Sequence, residues 1–153
     1  MTEIKNSFDP ADTQEVLARL DQLTPETPRQ WGKMNPAQML AHLNVAYEMA
    51  YENKHPKPNA FVKFFLKLLV KETVCGSKAY QKGSRTAPAF LITTERDFNV
   101  EKKRLSDYIK KTQELGAKYF DGRESNSFGP LTTAEWNVMF YKHLDHHFRQ
   151  FGI

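Results

Sequence analysis

Between Asn35-Pro36 and His55-Pro56 the chain reads AQMLAHLNVAYEMAYEN, a stretch with no glycine or proline to interrupt it. Asn35 offers a side-chain oxygen to the free amides of a first helical turn. Pro36 suits the first helical position, where its missing N–H costs nothing. A second such stretch, WNVMFYKHLDHHFRQF, stands near the other end of the sequence, and Thr132 and Glu135 precede and open it at capping-box spacing. Two long capped helices can hide their apolar stripes only against other elements, and helix packed on helix is the simplest arrangement.

The rest of the sequence supplies further helices. Val16, Leu17, Leu20 and Leu23 recur at helical spacing between Asp9 and Leu23, and the Thr24-Pro25 and Thr27-Pro28 pairs that follow disfavour continuation. The stretch from about Glu95 to Ala117 places Phe98, Val100, Leu105, Tyr108, Ile109 and Leu115 among charges, with Gly116 as its expected stop. FVKFFLKLLVKETVC, residues 61 to 75, reads as another helical piece, whereas AFLITTE at 89 to 95 is too short to assign. Four long helices and few strand signals predict an all-α fold, an antiparallel four-helix bundle. At 153 residues the chain is the size of one domain spanning 1–153, with 40% apolar and 26% charged residues. The N-terminus has no secretory pattern and no apolar run is long enough for a bilayer, so a cytoplasmic location without membrane insertion is expected. Cys75 is the single cysteine. Internal disulfides and cysteine-paired zinc sites are thereby excluded, any metal chemistry falls to histidine, and Cys75 is expected to be a packing residue.

Three of the five histidines lie in YKHLDHHFRQFG, residues 141 to 152. On a helix, His143 and His147 are roughly 40° apart around the axis and one turn apart along it, a spacing that brings two imidazoles within reach of one ion. His146 lies roughly 60° to the other side of His143 and could pair with it less well. Trp136, Met139 and Phe140 suggest that the His143/His147 side faces inward. Leu144 stands where the zinc-protease motif H-E-x-x-H has its glutamate, and Asp145 is roughly 200° from His143, on the opposite face. The Glu-x-x-His pattern of di-iron bundles is missing as well. A third ligand must come from another element, and His42, among Met39, Leu40, Leu43 and Ala46, has suitable surroundings. Alone, His42 reads as a hydrogen-bonded core residue, and alone the C-terminal cluster reads as a solvated helix face. Together they can converge in a bundle interior. His55, in the KHPKP turn, is expected to face solvent, and Glu48, Tyr47 and Gln150 are the nearby groups to consider as a base.

WGKMNPAQMLAHL at 31 to 43 and FGPLTTAEWNVMFYKHLDHHFRQFG at 128 to 152 resemble the DinB/YfiT-like superfamily, in particular a branch known only as domains of unknown function. The resemblance spans nearly the whole chain and is poorest in the middle. It implies a four-helix bundle of up-down-down-up topology with a divalent metal, zinc or nickel, held by His42, His143 and His147, while His146 supports the site or meets solvent. It also implies a metal-dependent enzyme of hydrolase or thiol-dependent transferase type, the latter using a low-molecular-weight thiol. The alternative is a non-catalytic dimeric bundle with a binding or stress-related role. The expected partners are a second copy of the chain and an unidentified small-molecule substrate.

Charge is unevenly distributed. Residues 54 to 85 contain eight Lys or Arg and one acid, Glu72, a net +7 against +4 for the whole chain. In FVKFFLKLLVK, Lys63, Lys67 and Lys71 share one narrow helical stripe and the rest is apolar. This pattern fits a buried or crossover helix, a dimer contact, or a helix on an anionic membrane; the first, with solvated lysines, is the expectation. A basic rim could also attract an anionic substrate. No nucleic-acid-binding motif is present, and no nucleic-acid partner is expected.

Overall fold

In the computed structural model, which describes residues 3–153, each long helix begins at a cap that its sequence encodes. Helix α1 spans Pro10–Asp21, with the Asp9 carboxylate accepting from the amides of Ala11 and Asp12. Helix α2 spans Pro36–Tyr51 and opens on a reciprocal box in which Asn35 and Gln38 each accept from the other's backbone amide. Asn59 caps α3, Ala60–Leu69, which passes at Val70 into the short α4, Lys71–Cys75. Helix α5, Phe98–Phe120, is capped by Asp97, and α6, Thr133–Gln150, by the Thr132/Glu135 box. These six α-helices, one 3₁₀ turn at Pro88–Phe90 and a two-residue antiparallel pairing of β1, Glu124–Ser125, with β2, Gly129–Pro130, are the regular structure of the described residues. The protein is all-α apart from that pairing. Among the described residues no helix is long and apolar enough to cross a membrane.

Helix α2 packs chiefly on α5, α1 packs on α5, and α6 closes against α2, α4 and α5. Leu20 and Leu23, Met39, Leu40 and Leu43, Leu105 and Phe120, and Trp136, Phe140 and Phe148 are all but removed from solvent in one hydrophobic core. The inward side predicted for α6 is correct: Trp136 and Phe140 are buried and Met139 packs partly against the core. Phe140 also stacks on Tyr47 with ring centroids 4.9 Å apart and planes inclined by 5°. Cys75 is a buried member of the same core, and burial pushes its thiol up to about 11.

Some expectations require correction. Gly116 does interrupt α5, with φ 71° and ψ 168°, but another turn of helix follows to Phe120. Helix α3 is not buried: none of its residues reaches the interior, and Phe61, Phe64, Phe65, Leu68 and Leu69 are 72, 62, 42, 66 and 69% exposed. Only Leu66, followed by Val70 and Val74, leans on the core, because the helix touches the bundle along one narrow edge. Of the three lysines of the stripe, Lys67 is exposed as expected, whereas Lys63 pairs with Glu124 and Lys71, at the start of α4, with Glu135. His55 is partly buried rather than exposed, with Nε2 2.7 Å from Glu48 Oε2.

Candidate metal centre

The breaker-free α2 carries His42 into the interior, and the α6 spacing turns His143 and His147 toward it. The ring centroids of His42 and His147 are 4.5 Å apart, those of His42 and His143 4.9 Å, and those of His143 and His147 5.0 Å. One ring nitrogen from each of the three lies within 4.8 Å of the others. His42 and His147 are buried and His143 partly so. All three residues predicted as ligands are therefore brought together. His146 remains outside the group, its ring edge-on to His147 at 4.9 Å and close to Tyr80 and Trp31 at 5.5 and 5.8 Å.

Hydrogen bonds behind the rings determine which nitrogens face the centre. His42 Nδ1 lies 2.8 Å from the carbonyl oxygen of Phe90, which can only accept, so Nδ1 carries the proton and Nε2 presents a lone pair. Gln150 does the same for His147. Its Nε2 donates to the Trp31 carbonyl at 2.8 Å, leaving Oε1 to accept from His147 Nδ1 at 2.7 Å. The Gln30 amide also donates to the Gln150 carbonyl at 2.7 Å, tying the 30–32 segment to the end of α6. Gly32 is required beneath this bridge. Its φ is +82°, and a Cβ there would meet Gln150 Nε2 at 2.4 Å.

The Nε2 atoms of His42 and His143 are 2.9 Å apart. Two lone pairs at that distance repel, so the contact requires a shared proton, here from His143 Nε2–H, or a cation. Tetrahedral coordination with bonds of about 2.0–2.1 Å would set the ligand nitrogens roughly 3.3 Å apart, a small adjustment from what is seen. Electrostatics favour the neutral imidazoles that a metal needs. Burial holds His147 down at about 3, reinforced by His42. Burial, then the neighbouring His42 and His147, lowers His143 well below its ordinary value. His42 is lowered by burial, partly offset by its bond to the Phe90 carbonyl. The donor set fits a divalent transition ion that accepts nitrogen ligands.

The residues considered as bases are otherwise engaged. Burial alone would raise the Glu48 carboxyl, but hydrogen bonds from Arg104, His55 and Lys54 outweigh it and hold the group down at about 2. Tyr47 lies between Tyr108 and Phe140, its hydroxyl raised well above the usual range by burial. Gln150 acts by orienting His147. Asp145 pairs with Arg19 and Arg149 on the other side of α6, as its helical position requires. The Phe90 carbonyl went unrecognised in the sequence because it acts through the backbone, and the unassigned stretch 89 to 95 carries no periodic signal.

The fold and site define a class: a mostly helical protein in which three histidines from two helices form a cluster that could hold a metal ion. The chain belongs to the family described as "Protein of unknown function (DUF1569)", whose model matches residues 2–152. No curated protein and no solved structure matches it.

Proposed function

We propose that the protein is a metal-dependent enzyme of DinB-like type, a hydrolase or a thiol-dependent transferase, with zinc or nickel held by His42, His143 and His147. The observation that carries this reading is the convergence of three imidazoles of which two, His42 and His147, have their far nitrogens committed to protein acceptors. Partners behind the ring raise ligand basicity and fix orientation, and a merely polar core has no need of both nitrogens so arranged. The likeness of segments 31 to 43 and 128 to 152 to the DinB/YfiT-like superfamily supports an up-down-down-up arrangement of α1, α2, α5 and α6. Bound there, a divalent ion would retain its full charge and an open position, at which the pKa of water falls toward about 7 and a thiol is deprotonated. Phe90 and Tyr80, with centroids 5.7 and 6.4 Å from His143, would limit access by water. Lys82 Nζ, 4.2 Å from the Trp31 ring centroid, supplies positive charge near His146.

The test is metal analysis of protein purified without an affinity tag, followed by a screen of low-molecular-weight thiols with electrophilic acceptors. Near-stoichiometric metal is expected. His42→Ala, His143→Ala and His147→Ala should each lower it sharply and reduce thermal stability, while His146→Ala does much less. A wild-type protein that stays metal-free after incubation with zinc and nickel salts, or four variants that retain metal equally, would refute the proposal. One observation favours a second reading, a non-catalytic bundle that keeps an ion without turnover: Glu48 and Asp145, the acids weighed for the site, are tied up in ion pairs. Metal binding with no activity across the thiol and hydrolase panels would select it.

A further inference from the structure

Between the end of α4 and the start of α5 the chain crosses the metal centre in a segment, residues 77–96, that has little of its own to hold it there. Apart from the 3₁₀ turn at Pro88–Phe90 it has no regular structure, none of its residues is buried, and Tyr80, Phe90 and Ile92 alone are partly so. Among the described residues its backbone amides bond to near neighbours only: Ser84 donates to Gln81, Phe90 to Ala87 and Leu91 to Pro88. Side-chain bonds to the helices are few. The Tyr80 hydroxyl meets the Val74 carbonyl at 3.5 Å and Gln38 Nε2 meets the Thr94 carbonyl at 3.4 Å, both at the long limit of such a bond. His42 Nδ1 donates to the Phe90 carbonyl at 2.8 Å. The one bond of ordinary length that fastens this segment therefore comes from a histidine of the metal centre.

What the segment covers gives that bond its meaning. The Phe90 ring lies 5.3 Å from His42 and 5.7 Å from His143, and the Tyr80 ring 6.4 Å from His143 and 5.5 Å from His146, all between centroids. A segment with so few fastenings opens at low cost, and when it lifts, the two rings that screen the histidines lift with it. His42 ties this motion to the state of the centre. Uncoordinated, its Nδ1–H is a neutral donor. Coordinated through Nε2, the same imidazole carries part of an ion's charge, and a donor bearing charge makes the stronger bond to a carbonyl. The dependence is reciprocal: if coordination strengthens the bond to Phe90, a closed segment strengthens coordination by the same factor.

We infer that residues 77–96 form a lid over the metal centre, latched by the hydrogen bond from His42 Nδ1–H to the Phe90 carbonyl and closed more firmly when His42 coordinates a metal. The second half rests on the metal-centre reading and the latch does not. Chymotrypsin must draw Phe90 off the histidine rings before it can cut after that residue, so the rate of this cut in the full chain, identified by mass spectrometry, reads the open fraction. Cuts after Phe61 and Phe64 of the exposed α3 serve as the internal reference. In chelator-treated protein His42→Leu should speed the Phe90 cut about fivefold against that reference, the equivalent of one neutral hydrogen bond. His42→Asn should restore the wild-type rate, because its amide nitrogen stands as far along the side chain as Nδ1 and donates to the same carbonyl, while nothing in it replaces Nε2 as a ligand. Stoichiometric zinc should slow the wild-type cut about fivefold and leave His42→Asn unchanged. Equal Phe90 cleavage in metal-free wild type and His42→Leu overturns the latch, as does a His42→Asn protein cut as fast as His42→Leu. Zinc-bound wild type cut as fast as the metal-free protein overturns the coupling. A wild type that takes up no zinc refutes the metal-centre reading and the coupling together, and the metal-free comparison then still decides the latch.

Discussion

His147 shows how much of a metal site lies outside its ligands. Its Nε2 is available only because Gln150 Oε1 accepts a hydrogen bond from Nδ1–H, and Gln150 can do so only because its amide is anchored on the Trp31 carbonyl. The anchor in turn passes over Gly32, where there is no room for a Cβ. Gly32→Ala should therefore push Gln150 aside and strain a backbone at positive φ. Gln150→Ala should free the imidazole without that strain. Both are expected to weaken zinc or nickel binding by 10- to 100-fold, the usual range for groups that orient a ligand, with Gly32→Ala alone also lowering thermal stability. Competition against a chromogenic chelator measures the first effect and thermal melting the second. Equal affinities in all three proteins would show that His147 needs no support.

At the scale of elements, capping chemistry was the most readable part of the sequence, because a cap is local: Asn35-Pro36 and Thr132-Glu135 each specify a helix start whatever packs around it. The histidine convergence was readable for a related reason, since helical spacing alone places His143 and His147 on one side and Asp145 on the other. Burial of α3 was misjudged because periodicity reports which residues share a face and is silent about what lies opposite. The carbonyls that hold α4 in place were equally invisible, because backbone acceptors have no sequence signature. Lys142, buried on α6 beside His143, donates to the carbonyls of Thr73, at 2.7 Å, and Gly76, while its Nζ lies 4.6 Å from the Tyr80 ring centroid. A cation at the carboxyl end of α4 also complements the helix dipole. Lys142→Met keeps most of the packing volume but leaves two carbonyls without their donor, so a loss of about 2 kcal/mol is expected. Urea unfolding measures it, and hydrogen exchange should show the loosening centred on residues 71 to 80. An unchanged urea midpoint would mean that water replaces the ammonium without cost.

For the molecule as a whole, two groups of titrating residues make stability depend on pH in different ranges. His42, His143 and His147 are all lowered from an ordinary value of 6.5, His147 to about 3. Above that ordinary value they are neutral both folded and unfolded, and add no pH dependence. As pH falls below it, the unfolded chain takes up protons that the folded, metal-free protein does not accept. Stability is then lost by at most about 1.4 kcal/mol per pH unit for each histidine, until the folded pKa is reached. Glu48 acts lower. Its carboxylate, held at about 2 against an ordinary 4.5, contributes stability that is present above the ordinary value and disappears as pH falls toward the folded one. The metal-free protein should thus begin to weaken just below neutrality, well before the Glu48 carboxylate is protonated. Urea midpoints of chelator-treated protein should fall steadily between about pH 7 and pH 5. The His143→Ala variant, lacking one of the buried rings, should show a shallower decline over the same interval, and Glu48→Gln should leave this slope alone while flattening the steeper loss in stronger acid. A wild-type midpoint that stays level from about pH 7 to pH 5 would mean that the three rings take up protons in the fold as readily as in the unfolded chain, and that the enclosure described for them is open to water.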